Sequence, residues 1–180
     1  MNYNQFKNLS CYEEFEIQCA LTGVSKIDVL KKFGNKINKY YYFISEDGIF
    51  NWFNLKGNHI KDPGILKEIN ELHIPKNITK CVIPNSVTRI SSSAFYCCSY
   101  LKKLDIPDNV TYIDNDAFWY CQSLEIITIP NSVTCIGNYI FFNCNSLKEV
   151  IFKGKTLEEV KRMKWYPWSV KYESIIKCEL

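Results

Sequence analysis

The sequence predicts an α+β fold: a short solenoid of 23-residue coils between an N-terminal α+β cap and a C-terminal helical cap. Three observations predict it. Ile-Pro pairs recur at Pro84, Pro107 and Pro130, a constant 23 residues apart, and neither flank shares that period. The chain has 180 residues, enough for one domain, or for a small one joined to a short repeat array. With 47% hydrophobic and 15% aromatic residues it carries ample material for a core. The expected divisions are 1–64 for the N-terminal cap, 65–152 for the solenoid and 153–180 for the C-terminal cap.

In the first division, Ser10 and Glu13 have the spacing of a capping box and open a helix through about Leu21, closed by Gly23. Ser25 begins a second helix with Ile27, Leu30 and Phe33 on one face and Gly34 at its end. Residues 39–44 and 49–54 read as strands around Asp47 and Gly48, a pair that favours a tight turn. Residues 57–64 read as a linker containing His59, and 65–72 as either a short helix or another strand. The region's expected role is to seal the exposed core edge of the first coil.

In the array the same string returns three times: Pro84, Val87, Thr88, Ile90; then Pro107, Val110, Thr111, Ile113; then Pro130, Val133, Thr134, Ile136. Each copy continues through Phe95, Phe118 or Phe141 to Cys98, Cys121 or Cys144, and on to Leu101, Leu124 or Leu147. Pro75, Ile78, Thr79 and Cys81 resemble a half unit placed nine residues before Pro84. Lys153, Gly154 and Lys155 stand where a fourth proline is due, so the array is expected to end there. Recurring apolar positions face inward, because one coil alone cannot bury them. Leu104, Asp105 and Ile106 alternate as a short strand requires, and Val110 to Ile113 forms a second extended piece. Proline has no N–H to add to a ladder, so the chain turns there. Ser91 to Phe95 and its equivalents are expected to form a brief helical or irregular segment on the opposite side.

In the tail, Thr156 and Glu159 form a second capping box, and Leu157, Val160 and Met163 recur every three residues. A short amphipathic helix is expected to cover the last coil, with Trp165, Tyr166, Pro167 and Trp168 ending it.

These strings resemble the BspA-type leucine-rich repeat, whose unit reads Leu-x-x-Ile-x-Ile-Pro-x-x-Val-Thr-x-Ile-Gly-x-x-Ala-Phe-x-x-Cys. The resemblance covers roughly Leu72 to Phe152. The family's glycine is present only as Gly137, with Ser91 and Asp114 at the equivalent positions, read as residues that tolerate unusual backbone angles. Its alanine becomes Ile140 in the last copy. The Leu157 to Val160 and Tyr166 to Trp168 segments also resemble the tails of such proteins. The resemblance implies a non-enzymatic module that binds a protein partner, of either the bacterial surface-adhesin kind or the small intracellular, phage- or bacteria-encoded kind. In the latter form it implies an inhibitor that occludes a host protein such as a defence enzyme.

Charge and chemistry narrow the field. A formal charge of +3 falls short of the basic balance that marks a nucleic-acid binder. Lys26, Lys31 and Lys32 around a turn at Gly23 and Val24 have some helix-turn-helix character, which keeps a nucleic-acid-binding regulator acting through the N-terminal helices as an alternative, but Asp28 sits among them and the basic surface is modest. Residues 1–10 contain no apolar core of a signal peptide, and no stretch of 18 uncharged apolar residues occurs. With nine cysteines, an odd number, the expectation is free thiols in a reducing cytoplasm, that of the host if the chain is phage-encoded. The phosphate-binding, dinucleotide, nucleophile-elbow and zinc-protease motifs are all missing. Cys98, Cys121 and Cys144 recur in one column, a geometry suited to packing and not to tetrahedral metal ligation. No cofactor or metal is expected.

The remaining candidates lie on the array's surface. The register places His73, Val82, Asp105, Thr128 and Ile151 in one outward column, and Arg89, Tyr112 and Cys135 in a neighbouring one flanked by Thr88, Thr111 and Thr134. Tyr96, Trp119 and Phe142 form a third column directly after the core phenylalanines. It is expected first to pack between coils and, where exposed, to anchor a partner. These columns are the expected partner-binding residues.

Overall fold

A computed structural model of the chain describes residues 19–21, 25–33, 35–37, 40–44, 50–54, 58–61, 64, 66–69, 74, 76–163 and 174–180. Residues 19–21 are helical, and α1 spans Lys26–Phe33. In α1 the buried pair is Val29 and Leu30, while Ile27 is only half-buried. The helix packs on β1 (Asn35–Ile37) and β2 (Tyr40–Ile44), which form an antiparallel meander with β3 (Phe50–Asn54) and β4 (His59–Ile60). Tyr40 faces Asn54 and Ile44 faces Phe50, as the two expected strands require. The expected turn at Asp47 and Gly48, the capping box at Ser10 and the closures at Gly23 and Gly34 lie outside the described residues. His59 does not sit in a linker: it pairs with Phe53 as part of β4. Tyr42, Ile44, Phe50 and Trp52 belong to the same buried apolar cluster as the coils.

Each coil contributes to two parallel sheets. The short-strand sheet contains β5 (Glu68–Ile69), β6 (Arg89–Ile90), β8 (Tyr112–Ile113) and β10 (Cys135–Ile136). The long-strand sheet contains β7 (Lys103–Asp105), β9 (Ile126–Ile129), β11 (Glu149–Lys153) and β12 (Ile176–Glu179). Between β6 and β7, and again in the next coil, the chain forms turns that ladder from coil to coil. The Phe95 N–H donates to the Ala117 carbonyl at 2.8 Å, and the Phe118 N–H to the Ile140 carbonyl at 3.0 Å. Neither a helix nor an irregular loop, this third stretch alternates ordinary and left-handed residues. Ser93, Asp116 and Tyr139 share one left-handed column, and Cys97, Tyr120 and Asn143 the other.

The core follows the repeat. Phe95, Phe118 and Phe141 stack with centroids 5.3 and 5.7 Å apart, and each is essentially fully buried. Cys121 Sγ donates to the Phe95 carbonyl at 3.1 Å, and Cys144 Sγ to the Phe118 carbonyl at 3.0 Å. The cysteine column thus both packs and ties successive coils together.

Two expectations about the array's ends are corrected. The Lys102 N–H donates to the Thr79 carbonyl just as Glu125 does to Lys102 and Lys148 to Glu125. Thr79 is therefore the counterpart of Lys102, not of Thr88. Glu68 pairs with Arg89 and Ile69 with Ile90, so the segment from Leu66 onward is a true coil of 21 residues, not a half unit beginning at Pro75. It is two residues shorter than the coils that follow, the difference falling between Ile69 and Ile78. At the other end, the sheet does not stop at Lys153. Lacking proline there, β11 runs one residue further and accepts β12, with Lys153 beside Glu179. The capping box forms as expected and opens α2 (Leu157–Lys161), but only Val160 and, partly, Met163 turn inward; Leu157 is exposed. Residues 165–168 lie outside the described residues.

Ser91, Asp114 and Gly137 do not occupy left-handed positions. Gly137 is needed for a different reason: a Cβ there would lie 2.5 Å from the Asn115 backbone nitrogen.

Candidate interaction surfaces

On the short-strand sheet the outward residues are Glu68, Arg89, Tyr112 and Cys135, in direct register. The Arg89 guanidinium stands 4.4 Å from the Tyr112 ring centroid and donates to Asp114 Oδ2 at 2.5 Å. That bond, more than any longer-range charge, raises the arginine's pKa. Burial, then the Asp114 carboxylate, raises that of the Tyr112 hydroxyl. Two side chains of types enriched in binding hot spots are thus held in one geometry, with the guanidinium still partly exposed. The flanking threonines are partly occupied: Thr88, Thr111 and Thr134 each donate from Oγ1 to a carbonyl of the preceding coil at 3.2 to 3.4 Å.

On the long-strand sheet Asp105, Thr128, Ile151 and Lys177 face one another across successive strands. Val82 is exposed one coil earlier. Thr128, however, is buried among its neighbours, so this column offers less reach than the register alone implied. The face is charged and internally paired: Lys103 with Asp105 at 3.2 Å, Lys148 with Glu125 at 2.7 Å, and Lys177 with Glu149 at 2.6 Å. Lys148 holds the Glu125 carboxyl below the usual range. His73 lies outside the described residues, and the 21-residue coil removes the reason for placing it in this column, since Val82 holds that coil's position.

The turn ladder presents the third surface. Tyr96, Trp119 and Phe142 are on it as expected, and they pack on one another's neighbours while staying partly exposed. Two tyrosines not singled out from sequence complete the cluster. Tyr120 lies 6.5 Å from both Tyr96 and Trp119, and Tyr139 lies 6.4 Å from Phe142, while Trp119 meets Phe142 at 4.7 Å. The repeat did not announce them: Tyr120 shares its left-handed column with Cys97 and Asn143, and Tyr139 shares its own with Ser93 and Asp116. Among the described residues, no group of three or more His, Cys, Asp or Glu side chains is placed to hold a metal ion, and no helix is long and apolar enough to cross a membrane.

Parallel sheets of short strands, one constant coil length and laddered turns define a leucine-rich-repeat solenoid. The chain belongs to the BspA type leucine rich repeat family, whose model matches residues 67–173 in six copies. That match includes the shortened first coil and reaches past Phe152 into the tail. Among solved structures, a leucine rich cell surface protein from Faecalibacterium prausnitzii A2-165 matches at 23% identity with a TM-score of 0.32, over 67% of this chain and 44% of that one. The chain therefore spans less than half the length of that protein. No curated protein matches.

Proposed function

We propose that this chain is a non-enzymatic interaction module that holds a protein partner against the strand faces of its solenoid. The observation that carries this reading is the Arg89–Tyr112 pair, ordered before any partner arrives by the Asp114 contact and the sheet register. Pre-ordering reduces the entropy lost on association, and Asp105 and Ile151 extend the contact area along the neighbouring sheet. Membership of the repeat family supports protein binding in general. The narrower reading, a cytoplasmic inhibitor of a host defence protein encoded by a phage or bacterium, rests on the family resemblance alone.

The test compares wild-type chain with a Tyr112→Ala, Asp105→Arg variant in affinity capture from host lysate, followed by titration of each captured protein in purified form. The expected outcome is a partner bound by wild type and weakened at least tenfold by the variant. Equal binding of the same proteins by both chains would refute the assignment of this face.

A further inference from the structure

The three surfaces differ sharply in chemistry. Charges crowd the long-strand sheet, whereas the turn stretches at 91–100, 114–123 and 137–146 contain only two charged residues, Asp114 and Asp116, and no lysine or arginine. Asp114 is engaged by Arg89, and one carboxylate oxygen of Asp116 is buried. At the margin, Lys76 lies 5.9 Å from the Tyr96 ring. Among the described residues, Tyr96, Tyr100, Tyr120, Tyr139 and Phe142 are the exposed large hydrophobic side chains of this flank; the exposed aliphatic ones, Leu21, Val82, Leu157 and Leu180, all lie elsewhere.

We propose that this aromatic flank binds neutral carbohydrate, its rings packing on sugar faces and its serine, asparagine and glutamine side chains pairing with sugar hydroxyls. The argument is one of complementarity. A sugar ring presents weakly polar C–H groups on its faces and hydroxyls at its edge. Tyrosine and tryptophan offer a rigid, amphipathic contact for the first, and Ser99, Gln122, Asn138 and Asn145 belong to residue types that both donate and accept for the second. A nucleic acid or sulfated polymer would call for cations, which the flank lacks. A protein hot spot would be expected to add arginine, which here sits on the neighbouring sheet instead.

Backbone conformation agrees. Tyr120 and Tyr139 adopt φ of 62° and 52°, a region costly for bulky side chains, although Asn143 and Asp116 fill the same two positions in other coils. Tyrosine at both places, with Tyr139 60% exposed, projects a ring outward at a cost in backbone strain that a binding surface would offset. The cluster runs unbroken over three coils, from Tyr96 through Tyr120 and Trp119 to Phe142 and Tyr139, so it suits an extended chain of sugar units better than a single one.

The inference stands apart from the protein-binding reading, which uses Arg89 and Tyr112, and its test leaves those residues intact. Full-length protein is run on native gels containing a mannan, a β-glucan or a galactan, with dextran sulfate as the charged comparison. Retardation by at least one neutral polymer is expected, insensitive to salt, weakened about tenfold or more by Trp119→Ala and unchanged by Leu157→Ser, at an exposed apolar position off the flank. If Trp119→Ala fails to fold by circular dichroism, Phe142→Ser and Tyr139→Asn, both at exposed positions, carry the same comparison. Absence of retardation by every neutral polymer overturns the proposal. So does binding to dextran sulfate alone, retardation that all three variants retain, or a Trp119-dependent dimer that ignores sugar.

Discussion

Gly137 approaches Asn115 so closely that a side chain on it would collide with the neighbouring coil's backbone. Its hypothetical Cβ would lie 2.5 Å from the Asn115 nitrogen and 2.7 Å from the Asp114 carbonyl carbon. The contact is reinforced by the Asn138 N–H, which donates to Asn115 Oδ1 at 2.8 Å. Gly137→Ala must therefore separate two coils or tilt one, and is expected to destabilise the chain by about 1–3 kcal/mol. Urea denaturation followed by circular dichroism measures it; an unchanged midpoint would show that the coils have slack there.

Phe118 is stacked between Phe95 and Phe141, with no exposure to solvent. Phe118→Ala removes the middle of that column and leaves a cavity bounded by two coils that cannot both collapse into it. A loss of about 3–5 kcal/mol is expected. Phe141→Ala should cost the same order, and the double variant less than the sum, because the two share one cavity. Additive losses in chemical denaturation would contradict a continuous core.

Much of this architecture is legible in residues alone. The period of Pro84, Pro107 and Pro130 fixes which residues face inward, because a parallel stack repeats one coil's side-chain directions in the next. Where the period breaks, the reading slips. Pro75 imitates Pro84 locally, yet the Glu68–Arg89 pairing makes the first coil 21 residues long, two fewer than the period. β12 was not legible, since Ile176 to Glu179 joins the sheet through backbone pairing with Val150 to Lys153 and repeats none of the motif. For the surfaces, register predicts which residues align, as with Arg89 and Tyr112, but not how far each protrudes. Thr128 aligns with Asp105 and is nonetheless covered, and Tyr139 protrudes because of a left-handed φ that no repeat position announces.

The thiols should separate into two classes. Burial pushes the Cys81 and Cys98 thiols up to about 12, from an ordinary 9.0, and Cys121 and Cys144 are buried as donors to carbonyls. Among the described cysteines, native protein treated with iodoacetamide at pH 8 should be modified first at Cys97, Cys135 or Cys178, which are partly exposed, and not at the buried column. Peptide mass spectrometry reads the order. Because the folded pKa exceeds the unfolded one, the stabilisation is complete below about pH 9 and is lost as pH rises towards about 12. Alanine at Cys98 should flatten that alkaline loss.

The capping box makes an opposite prediction at low pH. The Thr156 backbone N–H, donating to Glu159 Oε2 at 2.7 Å, and then the Thr156 hydroxyl hold the Glu159 carboxyl below its ordinary value of 4.5. Its contribution to α2 is therefore present above that ordinary value and is lost as pH falls through the lower folded one. In a titration followed by the Glu159 carboxyl carbon shift, the midpoint should return towards the ordinary value in Thr156→Ala, with a loss of about 1 kcal/mol in stability from the missing cap. An unchanged midpoint would mean that the box does not persist in solution.

Tyr120 and Tyr139 set stability against recognition. Each holds a backbone angle that favours glycine or asparagine, at φ 62° and 52°, and in the position equivalent to Tyr120 the next coil has Asn143 at φ 58°. Tyr120→Asn exchanges a strained aromatic residue for one that tolerates the left-handed region, while giving up ring contacts at 6.5 Å with Tyr96 and Trp119. Relief of strain, on the order of 1 kcal/mol, should exceed the loss of two peripheral contacts at a partly exposed site, so the variant is expected to unfold at higher urea by about 0.5 kcal/mol. The same substitution removes a ring from the middle of the aromatic cluster and should weaken any ligand held there. A variant that gains stability and loses binding would identify the two tyrosines as residues kept for contact; one that loses both would make Tyr120 a packing residue of the turn ladder.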